Sequence, residues 1–103
     1  MKEKIIIQNV LKFENDKGKG TRIEFYFARP DAIANSKSYK GFSANACFYR
    51  DTEVFDKIPV DVVGKTIDCT LKSIPSVKNP MTSITMIESI IFSGNNIRLL
   101  QSE

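Results

Sequence analysis

The sequence contains no histidine. That removes the commonest general base and most nucleophilic triads with it. No pair of carboxylates can be named as a convergent acid and base, so the chain is not expected to be an enzyme. Two cysteines, Cys47 and Cys69, are present without a CxxC, which argues against zinc, and no metal or cofactor is expected. A disulfide between the two stays open, a reduced pair in a cytoplasmic protein being the preferred reading. No apolar run approaches the roughly 18 residues of a membrane-spanning helix. The opening MKEKIIIQNVLKFEND starts basic, but Gln8, Asn9 and Lys12 interrupt its apolar segment. It lacks the long core and small-residue cleavage site of a signal peptide and is read as a first strand. Internal repeats, low-complexity linkers and catalytic motifs are absent as well.

The 103 residues fit one domain spanning 1–103, with a core over about residues 4–92. A chain of this size buries roughly 60–70% of its unfolded surface, enough for a core without staples. The net charge of +3 hides an asymmetry: residues 1–50 carry ten lysines and arginines against five acids, residues 51–103 five against seven. Uneven charge aids solubility in many small proteins. It also suits a polyanion-binding surface on the first half.

Thr21–Ala28 is the clearest strand. Ile23, Phe25 and Phe27 alternate with Arg22, Glu24 and Tyr26, so one face is apolar and the other offers a cation, a carboxylate and a ring. Before it, Lys4–Glu14 reads as a long strand whose apolar parity changes after Ile7, predicting a bulge near Gln8–Asn9. Asn15–Gly20 is the turn between them. Arg29–Lys40 is polar and reads as a loop with a short helical turn at Asp31–Ala34. Gly41–Tyr49 alternates again, predicting Phe42, Ala44, Ala46 and Phe48 inside and Ser43, Asn45, Cys47 and Tyr49 outside. Arg50–Lys65 is the only credible helix, capped by Asp51 or Thr52, with Val54, Phe55 and Ile58 on one side; Pro59 can open a second turn ending at Gly64. Lys65–Ile74 alternates through Ile67, Cys69 and Leu71. Pro75–Pro80 is a turn, Met81–Phe92 a further strand, and 93–103 a tail or short edge strand. Phe13, Phe25, Phe27, Phe42, Phe48 and Phe55 are assigned to the core. The order β-β-β-α-β-β makes the fold class all-β with one short helix and matches a five-stranded OB-like Greek-key barrel.

The long bent first strand, the aromatic IEFYFA, the loop and helix before VVGK and the hairpin around SVKNP together resemble single-stranded DNA-binding proteins of the OB type, especially short ones from phages and mobile elements. The segment Ile58–Leu71 resembles the place where such proteins leave the helix for the next strand. The chain departs from the long bacterial form in having no extended acidic tail ending in phenylalanine. The resemblance implies sequence-tolerant binding of single-stranded DNA, or of RNA, in replication or transfer of a phage or other mobile element, by a homo-oligomer such as a dimer and without a membrane. Such binding needs a basic groove and flat side chains for base stacking. Tyr26 and Tyr49 on the outer faces of the second and third strands and Tyr39 in the loop would stack. Lys17, Lys19, Arg22, Arg29, Lys37, Lys40, Lys72 and Lys78 would meet phosphates. Each has an ordinary structural role as well: tyrosines edge cores and lysines solvate turns. Glu24 sits awkwardly among them unless Arg22 or Lys40 pairs with it across the strands. The alternative is a small β-barrel module for protein interaction or assembly, with the tyrosines as interface anchors.

Overall fold

A computed structural model describes residues 1–75, 79 and 81–100. The chain is mostly β with one short helix. Its strands are β1 (Lys2–Asn15), β2 (Gly18–Phe27), β3 (Ile33–Asn35), β4 (Lys40–Phe42), β5 (Asn45–Tyr49), β6 (Thr66–Pro75), β7 (Ser83–Phe92) and β8 (Asn95–Arg98), with helix α1 (Glu53–Lys57) between β5 and β6. Six strands form one antiparallel sheet in the order β5-β2-β1-β6-β7-β8, and β3 and β4 make a separate small hairpin.

β1 organises the sheet. Its start, Lys2–Ile6, pairs with β6, and from Ile5 to Asn15 it pairs with β2. The bulge expected at Gln8–Asn9 is there, as a register shift between Ile7 and Asn9. A second shift falls between Thr70 and Leu71, where Glu88 of β7 is the extra residue. The extra residue bends each strand and steepens its twist, and the curled sheet brings β5 against β7. The sheet nevertheless has six strands and is not closed into a barrel, where the sequence predicts a barrel of five. What spans the seam between β5 and β7 is a side chain: the Tyr49 hydroxyl donates to the Ile87 carbonyl at 2.6 Å.

The core collects Ile5, Ile7, Ile23, Phe25, Ile67, Leu71, Ile87 and Ile90 from the sheet. α1 and the 3-10 turn Val60–Val62 add Val54, Ile58 and Val62, all buried. The helix starts where expected, with the Glu53 amide donating to the Asp51 carboxylate at 2.8 Å. The Thr21 hydroxyl donates to the Asp51 carbonyl and ties β2 to that start. Pro59 opens the second turn, and Gly64 follows it with φ +86, a conformation that favours glycine.

Three expectations need correction. The face of β5 is inverted: Cys47 and Tyr49 are buried, and Phe48 is 57% exposed beside an exposed Ala46. Both parities of this strand carry an aromatic residue, so periodicity alone could not orient it. The register settles it, since Thr21 and Ile23, both fully buried, lie opposite Tyr49 and Cys47. Second, the polar stretch 29–40 holds more than a helical turn: a 3-10 turn at Pro30–Ala32 leads into the β3–β4 hairpin, and the chain leaves β4 before β5 begins. Third, of the phenylalanines assigned to the core only Phe25 is fully buried, while Phe27 packs against it partly buried and Phe55 is 38% exposed. The short edge strand after residue 92 is present as β8, paired with β7. Most of the expected Pro75–Pro80 turn lies outside the described residues. Among the described residues no helix is long and apolar enough to cross a membrane.

Candidate nucleic-acid interface

The outer face of β1, β2 and β5 is where the sheet presents rings and cations together. β2 places Gly20, Arg22, Glu24 and Tyr26 on this side. Cross-strand pairing sets Phe13 opposite Gly20, Leu11 and Phe48 on either side of Arg22, Asn9 and Ala46 on either side of Glu24, and Ile6 beside Tyr26.

At one end, the rings of Phe13 and Phe48 meet edge to face at 6.4 Å. Gly20 lies beneath them, and a Cβ there would stand 2.1 Å from the Tyr49 carbonyl oxygen and 3.1 Å from the tip of Phe13. Only glycine lets the backbone of β5 and the Phe13 ring approach this closely. At the other end, Tyr26 stacks on Phe42 at 4.8 Å with 24° between the planes. Phe48 faces Arg22, four positions from Tyr26 on β2, so these two rings are rooted roughly 13 Å apart along the strand.

Between them, Arg22 donates from Nη1 to Glu24 Oε1 at 2.9 Å and lies over the Phe48 ring at 5.5 Å. The pair runs along β2 between residues two apart, not across the strands as the sequence suggests. It is still an incomplete arrangement: Arg22 Nε and Asn9 Oδ1, shielded from solvent, have no hydrogen-bond partner.

The cations divide into free and committed ones. Lys17, Lys19 and Arg50, with Phe13, Asn15 and Gly18, line a depression of about 510 Å³ at the β1–β2 turn. Among the described residues none of these three cations has an ion-pair partner, nor do Lys37, Lys40 and Lys72. Lys37, Tyr39 and Lys40 belong to the β3–β4 hairpin, the one that supplies Phe42 to the Tyr26 stack. Tyr39 is 47% exposed and donates its hydroxyl to the Phe42 carbonyl. Arg29 is committed, bonded to Glu3 at 2.7 Å and Asp31 at 3.0 Å and lying over Phe27. Lys72 sits on β6, two strands from β2, and Lys78 lies outside the described residues.

Tyr49 has to leave the set. It is buried among core residues, where the Cys47 thiol donates to its oxygen at 3.5 Å and its own hydroxyl is used on Ile87. A ring in that position cannot receive a base. Burial pushes the phenol far above its ordinary range and raises the Cys47 thiol too. The Cys69 thiol is pushed up to about 12 by burial, with Glu3 and Asp68 adding to the shift. Both thiols are free, and neither is poised for nucleophilic chemistry.

Sequence reasoning missed Phe48, Phe13, Leu11 and Arg50. A usable signal for Phe48 was its neighbour: free cysteine is among the most buried residue types, which turns Cys47 inward and Phe48 outward. Among the described residues no group of three or more Cys, Asp or Glu could hold a metal ion. No family model, no curated protein and no solved structure matches the chain.

Proposed function

We propose that this chain binds single-stranded DNA, with little dependence on sequence, along the outer face of β1, β2 and β5. The observation that carries the reading is Phe48. A phenylalanine 57% exposed on a sheet face, with a second ring against it and unpaired Lys17, Lys19 and Arg50 at the adjoining turn, supplies a stacking platform beside cations. Each base stacked on such a ring contributes on the order of 1–3 kcal/mol, and any base can provide the π-face. The Tyr26–Phe42 pair offers a second platform, with Tyr39, Lys37 and Lys40 on the hairpin beside it. The neighbour order around β1, with the short helix following the third strand of the meander, supports a partly open OB architecture, whose second and third strands carry oligonucleotides. Electrophoretic shift of a single strand, its duplex and the matching RNA tests the proposal. Retardation of the single strand well below the protein concentration needed for the duplex is the expected outcome; equal or absent retardation of all three refutes it.

A second reading draws on the same exposure. β5 is an edge strand of the sheet, and Leu11 (49% exposed) and Phe48 flank Arg22 on an apolar outer face. Such a face could join two copies, or this chain and a protein partner. Light scattering separates the two readings: under the second, Phe48→Ala changes the oligomeric state and leaves DNA binding, if any, untouched.

A further inference from the structure

We infer that Glu24 is a base-reading residue, accepting hydrogen bonds from the exocyclic amine of cytosine, adenine or guanine in a bound strand. The inference rests on the single-strand reading above and adds a preference within it.

A carboxylate in the middle of a phosphate-binding face would be a liability, because it repels the polyanion that the face serves. Glu24 stands between the Phe13–Phe48 pair and the Tyr26–Phe42 pair, where the strand's bases rather than its phosphates would lie. One of its oxygens accepts from Arg22 at 2.9 Å, which fixes the side chain. An ionised carboxylate has about four acceptor sites in all, and no second donor to Glu24 is found among the described residues. Its β5 neighbour is Ala46, whose small side chain leaves that flank open. On the β1 flank, Asn9 carries an acceptor without a partner, and Arg22 carries an equally unpartnered donor at Nε. Buried polar atoms without partners are rare in folded proteins and call for an explanation. Both atoms are shielded from solvent, and the group that a bound strand can reach and complete is the Glu24 oxygen that Arg22 leaves free.

Base chemistry decides which partner completes it. Cytosine N4, adenine N6 and guanine N2 each present an NH2 donor, and glutamate accepting from cytosine N4 is an established pairing. Thymine and uracil place a carbonyl oxygen where cytosine has its amine, so they would set an acceptor against the carboxylate.

The test measures affinities of oligo-dC and oligo-dT, each about 12 nucleotides long, for the full chain and for Glu24→Gln at one salt concentration near neutral pH. Both oligomers are pyrimidines, so stacking is closely matched. The glutamine amide can donate to a thymine carbonyl, so the variant should gain affinity for dT above all. The ratio of dC to dT affinity is expected to fall by about fivefold or more, the scale of one charge-assisted hydrogen bond. An equal rise for both oligomers would show that Glu24 merely repels phosphate and overturns the inference alone. Failure of the unaltered chain to bind either oligomer removes the single-strand reading and this inference with it.

Discussion

Removing one oxygen, by Tyr49→Phe, probes the seam of the curled sheet. The Tyr49 hydroxyl donates to the Ile87 carbonyl at 2.6 Å and accepts from the Cys47 thiol at 3.5 Å. It joins β5 to β7, strands that share no ladder in the sheet order. Phenylalanine keeps the ring, so the core stays filled and the change isolates the hydrogen bond. Deleting a buried donor while its acceptor remains costs about 1–3 kcal/mol. A loss of about 1–3 kcal/mol in a domain of this size lowers Tm by roughly 4–24 °C. Urea unfolding followed by circular dichroism gives the free energy, and thermal melts give Tm. Below the transition, affinity for an oligonucleotide should stay within about twofold, the spread expected of a group that does not touch ligand. A variant as stable as the parent that has lost oligonucleotide affinity would refute the reasoning. It would return Tyr49 to the surface, where the alternation of the sequence alone had put it.

Three further outcomes follow from the same geometry. Gly20→Ala forces a Cβ toward the Tyr49 carbonyl at 2.1 Å, so denaturant unfolding should show a loss of roughly 1–3 kcal/mol; unchanged or increased stability would contradict the close approach of β2 and β5. Phe48→Ala should change stability by about 0.5 kcal/mol or less, as at other exposed positions, yet weaken oligonucleotide binding by about 1–3 kcal/mol; calorimetric melts and fluorescence titration read the two effects separately. Cys69 is held protonated in the folded chain, its pKa raised from 9.0 to about 12. The folded state therefore keeps a proton that the unfolded state releases, and stability should be full below pH 9 and decline as pH rises toward 12. Cys69→Ser, measured across the same alkaline range in urea, should flatten that decline, and an unflattened curve would assign it to other groups.

Some of the fold was legible because chemistry left one reading. β2 alternates cleanly, and Ile23 and Phe25 are buried as its pattern requires. The bulge after Ile7 was visible as a change of apolar parity, and β6 buries Ile67, Cys69 and Leu71 as expected. β5 was ambiguous because Cys47 and Tyr49 compete with Phe48 for the interior, and only pairing with Thr21 and Ile23 decides between them. The β3–β4 hairpin hid in a polar stretch whose three-residue strands are too short to show a period. Closure of the sheet is a matter of accumulated curvature, which no local pattern encodes. In the candidate interface, Arg22 and Tyr26 follow from the alternation of β2. Arg29 looked as available as Lys17 until the structure set it against Glu3 and Asp31. Ion pairing between residues distant in the chain separates free cations from committed ones, and spacing along the sequence does not contain it.

Under the single-strand proposal, cations without an ion-pair partner among the described residues, set beside the exposed Phe48 ring, make the outer face of β1, β2 and β5 the binding surface. The most direct test of this proposal is the anisotropy of a fluorescent oligonucleotide titrated with the protein over a series of salt concentrations. Lys17, Lys19 and Arg50, with Lys37 or Lys40 of the β3–β4 hairpin as a fourth contact, would neutralise three or four phosphates. At about 0.7 per phosphate for single strands, the plot of log affinity against log salt should fall with a slope of about −2 to −3. Reversing the charge at Lys17 and Lys19 should flatten it. An oligonucleotide that stays unbound at micromolar protein in low salt, or that binds with no dependence on salt, would contradict the account.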